Sequence, residues 1–158
     1  MLGIKKTSLF ILFFLVFSFR AFAAIPSPIG KWVTIDDETQ KPRSIVSIWE
    51  DTQGHLAGTI LKVNYRLGEG TEDVCSKCTD PEHQNKRIVG MVLLWGMSEN
   101  PSDPLEWSGG QILDPHNGKI YSCRIKISPD GKTLAVRGYI GIPLLGRSQT
   151  WYRARAHS

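Results

Sequence analysis

Apolar and polar residues alternate along much of the chain, and no segment beyond residue 23 sustains the i, i+3, i+4, i+7 spacing of an amphipathic helix. The clearest case is Tyr121, Cys123, Ile125 and Ile127, interleaved with Ser122, Arg124 and Lys126, which sends the first set to one face of a strand and the second to the other. Short runs rich in Val, Ile, Trp and Tyr are repeatedly bounded by Gly, Pro, Asn and Asp. Asn117-Gly118 and Asp130-Gly131 are hairpin turn signals, and Asp51-Thr52-Gln53-Gly54 is a turn ending in glycine. The pattern predicts eight strands: Lys31 to Ile35, Ser44 to Glu50, His55 to Val63, Arg87 to Met97, Trp107 to Leu113, Lys119 to Ser128, Thr133 to Ile140 and Arg147 to Arg153.

Eight sequential strands joined mostly by tight turns leave two exposed edges as an open sheet, and closing the sheet removes both. The expected fold is therefore all-β, an eight-stranded antiparallel up-and-down barrel, with a β-sandwich as the alternative. Such a barrel has room for interior side chains or for one small ligand. The strand around Val92, Leu93, Leu94 and Trp95 is apolar on both faces, so its outer face needs a cover, either the long 65–86 loop or a second subunit. In the seventh strand Leu134, Val136 and Ile140 alternate with Arg137 and Tyr139, which by parity points the last two outward.

Residues 1–23 have the three parts of a secretory signal: Lys5 and Lys6, an apolar run from Leu9 to Phe19, and Ala21-Phe22-Ala23 as a cleavage site. The run is about half the roughly 20 residues of a spanning helix, and no lipid-acceptor cysteine follows it, so no stable membrane anchor is expected. Three of the 19 Lys and Arg lie in this segment (Lys5, Lys6, Arg20), leaving 16 against 15 acidic residues. A net charge of +1 with no basic cluster argues against nucleic acid as a partner. Residues 24–158 are expected to form a single domain in the periplasm or outside the cell.

Several fragments in their order and spacing resemble a bacterial family of secreted proteins, domain of unknown function 2147. They are Gly30-Lys31-Trp32, Ser44-Ile45-Val46, Gly58-Thr59-Ile60, Val89-Gly90-Met91, Ile112-Leu113-Asp114-Pro115, Asn117-Gly118-Lys119 with Tyr121, Arg137-Gly138-Tyr139-Ile140-Gly141 and Gly146-Arg147-Ser148-Gln149-Thr150-Trp151. The resemblance implies a lipocalin-like barrel and no established activity. In such barrels the tryptophan of a first-strand Gly-x-Trp lies at the base, under a basic residue from the last strand. Trp32 and Arg153 match those roles, with Arg155 as a substitute for the latter, and their stacking would contribute about 0.5–2 kcal/mol.

Cys75-Ser76-Lys77-Cys78 can form a disulfide, hold a metal or exchange thiols. An oxidising compartment and a polar loop setting favour a structural disulfide between Cys75 and Cys78. A bridge to Cys123 and thiol exchange stay open, as does a metal site recruiting His83, which lacks a fourth ligand. Arg137 and Tyr139 are candidate ligand contacts, because an Arg-x-Tyr can grip a carboxylate inside a barrel, as in the similar barrels of intracellular fatty-acid-binding proteins; strand parity opposes this. Tyr121 and Trp95 are candidate cavity-lining aromatics. Asp114-Pro115-His116-Asn117-Gly118 is turn chemistry without a nucleophile, so no catalytic residue, cofactor or metal is expected. The functional expectation is a non-catalytic barrel, monomer or homodimer, that binds a small apolar or amphipathic molecule. The alternative is a filled barrel that docks an envelope protein through an outer face near Val92 and Leu94, and the third reading is redox or metal chemistry at the C-x-x-C.

Overall fold

The computed structural model describes residues 25–66 and 73–155; the expected signal segment lies outside them. Eight strands follow in order: β1 (Gly30–Ile35), β2 (Pro42–Glu50), β3 (Leu56–Val63), β4 (Val92–Asn100), β5 (Asp103–Asp114), β6 (Lys119–Ile127), β7 (Thr133–Tyr139) and β8 (Arg147–Arg153). Each pairs antiparallel with the next, and β8 returns to β1 through Trp32 opposite Arg153 and Val33 opposite Tyr152, so the sheet closes into a barrel without free edges. A single 3₁₀ turn, Pro143–Leu145, joins β7 to β8.

The predicted strands are found, with limits that move most in β4, which also runs on to Asn100, and in β5. β4 begins at Val92 rather than Arg87, because Arg87 bridges to Val74 and the Ile88 N–H bonds to the Asp73 carbonyl, which commits this stretch to the preceding loop. β5 begins at Asp103, four residues early, through a tight turn that sets Asn100 opposite Asp103.

Alternation assigns the faces except where β4 and β5 cross. Gly96 and Gly109 both have positive φ (+68° and +80°), and beyond each of them the alternation is reset. Leu94 and Met97, three residues apart, therefore both lie wholly buried in the interior. The expected docking face at Leu94 is thus corrected: Leu94 is core.

That core comprises Trp32, Val46, Ile48, Leu56, Ile60, Leu94, Met97, Cys123, Ile125, Ile127, Leu134, Val136 and Trp151, with Leu93 packed against them. Most of it fills the end of the barrel where β8 finishes and β1 begins.

This base is also sealed from below. The lead-in Ile25–Ile29 passes under the barrel, where the Trp32 indole Nε1 donates to the Pro28 carbonyl at 2.7 Å. The Arg153 guanidinium lies 4.3 Å from the Trp32 ring centroid. It donates to the carbonyls of Gly131 (2.6 Å), Ile29 (3.1 Å) and Ser27 (2.6 Å). A Cβ on Gly30 would sit 3.0 Å from the Arg153 Nη1, so glycine is the residue that lets the guanidinium come this close.

Replacing Arg153 by Ala removes the cation–π contact and three charge-assisted hydrogen bonds together. Urea unfolding of Arg153→Ala is expected to show a loss of about 2–3 kcal/mol, with Arg153→Lys recovering less than half. An unchanged midpoint would show that the base is held by other contacts.

Candidate functional site

With the base closed, the remaining entrance is the opposite end, bounded by the β1–β2, β5–β6 and β7–β8 connections and by the start of β4. Residues paired across neighbouring strands share a face, so the inward set at this end can be read from the ladder. Ile112 lies opposite both Leu94 and Tyr121. Gly138 lies opposite Cys123 and Arg147, and Gln149 opposite Val136. On the far wall Thr34 faces Ser44, which faces Val63. Ile112, Tyr121, Val63, Gly138 and Gln149 are only partly buried, whereas Cys123, Ile125, Val136 and Trp151 below them are buried.

The polar groups of this mouth form a chain. Trp151 Nε1 donates to Gln149 Oε1 at 3.5 Å, and Gln149 Nε2 donates to Asp37 Oδ2 at 2.8 Å. Arg147 pairs with the same Asp37 oxygen while remaining largely solvent-exposed. Across the opening, the Tyr121 hydroxyl accepts from Asn117 Nδ2 at 3.1 Å, and Asn117 also donates to Asp114 Oδ2 at 2.9 Å. Thr34 and Ser44 share a hydroxyl hydrogen bond of 2.7 Å.

Asp36 locks the β1–β2 turn beside Asp37. One carboxylate oxygen accepts the N–H groups of Glu38 (3.0 Å) and Thr39 (2.8 Å), and the other accepts Arg66 Nε (2.8 Å). The backbone N–H of Thr39 is the main cause, and Arg66 a further one, of a carboxyl held far below the usual carboxylate range.

The family model described as an uncharacterized protein conserved in bacteria, DUF2147, matches residues 30–153. The chain belongs to this family. A similar solved structure is protein HP1028 from the human pathogen Helicobacter pylori, described as belonging to the lipocalin family. It shares 19% identity at a TM-score of 0.68, covering 84% of this chain and 86% of that one, and the likeness carries the lipocalin-like fold. No curated protein matches the sequence.

Within this DUF2147 barrel the sequence-predicted ligand residues separate. Tyr121 points into the mouth, opposite Ile112. Arg137 and Tyr139 do not: Arg137 pairs with Arg124 and Tyr139 with Ser122 on the outer wall, as strand parity required. The Arg137 guanidinium is already taken by the carbonyls of Pro143 (2.6 Å) and Leu144 (3.2 Å) and by Ser148 Oγ (2.8 Å). Trp95 also faces away from the interior, and His83 stacks on it at 5.4 Å between centroids. The arginine at the mouth is Arg147. It stands four residues before the interior Trp151, so the period-2 rule applied from that tryptophan finds it.

The cover over Trp95 is the cysteine loop. Cys75 and Cys78 are bonded, with Cα atoms 5.4 Å apart, and both are buried with Met91 and Leu113. His83 bridges Asp80 (2.5 Å) and the Val92 carbonyl (3.2 Å). A Cβ on Gly118 would lie 1.9 Å from the Lys77 carbonyl oxygen, so the loop seats directly on the β5–β6 turn. Oxidised sulfurs are poor metal ligands, and among the described residues no three His, Cys, Asp or Glu are grouped to hold an ion. Cys123 faces the interior, where burial pushes its thiol up to about 12.

Two shallow concavities lie on the outer wall. One of about 410 Å³ is bordered by Glu82, His83, Lys86 and Arg87, the other of about 150 Å³ by Glu106, Arg124, Lys126 and Arg137.

Because the folded carboxyl of Asp36 titrates below its unfolded value of about 3.9, its stabilisation is complete above that pH and declines as the pH falls towards the folded value. Asp36→Asn is expected to unfold at lower urea than the natural protein at pH 7, and the gap should narrow on going to pH 3. A gap independent of pH would place the effect outside ionisation.

Proposed function

We propose that this protein is an exported, non-catalytic binding protein whose mouth takes a small amphipathic molecule. The observation that carries the reading is the asymmetry of the barrel: one end is sealed by Trp32, Arg153 and the lead-in, while the other presents partly exposed Val63, Ile112 and Tyr121 beside Arg147 and Gln149. Apolar walls with a few convergent polar groups are the usual chemistry of such sites. The apolar part of the ligand would lie on Ile112, Val63 and the Tyr121 ring. An anionic head would meet Arg147, which exchanges its exposed pairing with Asp37 for the ligand. The signal-like residues 1–23 and the Cys75–Cys78 bridge support export to an oxidising compartment.

The filled base and the two outer concavities favour a second reading, a barrel that works through its outer surface. The two separate in titrations with a fluorescent long-chain carboxylate. Arg147→Ala is expected to weaken binding about tenfold, while Arg124→Ala on the outer wall leaves it unchanged. No saturable binding, or equal loss in both variants, would reject the mouth.

A further inference from the structure

The β7–β8 connection carries no charged side chain from Gly138 to Gly146, yet it holds the three most exposed large aliphatic residues of the described chain, Leu144, Leu145 and Ile140, with Ile142 beside them. Ile140 is 69% exposed, Ile142 55%, Leu144 82% and Leu145 76%. They stand on the rim of the mouth as a convex tip rather than a groove. We propose that this tip inserts into a lipid bilayer and docks the barrel, open end first, on the membrane surface.

Three observations choose a bilayer over a protein partner. First, three successive carbonyls of the tip are paired within the loop. The Pro143 carbonyl accepts from Arg137 and from the Gly146 N–H, the Leu144 carbonyl from Arg137, and the Ile142 carbonyl from the Leu145 N–H. Proline itself brings no N–H. Internal pairing of these carbonyls lowers the cost of taking the tip into apolar surroundings.

Second, the charges flank the tip instead of lying on it. Arg147 at its exit suits the phosphates of headgroups, and Tyr139, the last residue of β7, adds an amphipathic ring beside the tip. Arg147 is free to turn, since its side chain is 72% exposed and its pairing with Asp37 is a surface one. Third, the tip is rigid: a 3₁₀ turn cross-braced by one guanidinium loses little conformational freedom on insertion.

A single loop of four aliphatic side chains gives peripheral, reversible attachment, because no covalent chain or spanning helix adds to it. Among the described residues no helix is long and apolar enough to cross a membrane. Docking in this orientation holds the mouth against the lipid surface, but it stands whether or not the mouth takes a ligand.

The test is co-sedimentation of the chain from Ala24 onward, which contains every strand of the barrel, with phosphatidylethanolamine and phosphatidylglycerol vesicles. The natural chain is expected to sediment with them. The double variant Leu144→Ser, Leu145→Ser should lose binding by about tenfold or more. Leu61→Ser, on the barrel wall, should bind as the natural chain does. Both tip leucines are exposed, so near-ultraviolet circular dichroism of the double variant should be native. No vesicle binding by the natural chain, or equal binding by the double variant, overturns the proposal. So does self-association that the double variant abolishes without any vesicle binding, since that makes the occupant a second copy.

Discussion

The stacking of Arg153 on Trp32 is the contact from which the rest of the molecule takes its orientation. It joins the last strand to the first, which a run of hairpins cannot accomplish alone, and it ties both to the chain passing beneath. A guanidinium suits the place because its flat face covers the indole while its edges reach three carbonyls that would otherwise lie unpaired at the base. Once that end is shut and filled, the opening left to the barrel is the other end, where Val63, Ile112 and Tyr121 stay partly exposed, and the barrel acquires a direction.

Which arginine serves the mouth then follows from strand geometry. Arg137 and Arg147 stand near each other on adjacent strands, but opposite parities send one to the outer wall and the other to the interior side. Their roles complement each other. Arg137 is consumed by the carbonyls of the β7–β8 turn and shapes the apolar tip, while Arg147 keeps an exposed head held by Asp37. The charged residues of one short stretch thus divide between bracing a loop and presenting a cation at the entrance.

The strands and most of their limits were legible in the sequence, because hairpins joined by Asn-Gly and Asp-Gly turns are determined locally. Closure of β8 on β1 links residues more than a hundred positions apart; the cost of two open edges predicts that the sheet closes, and only the family resemblance named Trp32 and Arg153 as the contact that closes it. The faces of β4 depart from strict alternation around Leu94, because Val92 and Leu94, two apart, pair with the consecutive Thr59 and Gly58, and no letter in the sequence announces that shift. Trp95 looked like a cavity residue until the cysteine loop, whose path depends on the disulfide and on His83, was seen to cover it. Arg147 was within reach of parity counted from Trp151, whereas its partner Asp37 comes from a turn that sequence spacing does not place beside it.

Native mass spectrometry of protein purified gently from the cells that make it decides whether the sealed base leaves a working mouth. A bound amphipathic molecule at about one per chain is expected, released on denaturation and reacquired when the extract is returned to refolded protein. A single unliganded mass before extraction, with no uptake of added long-chain carboxylates, would contradict it.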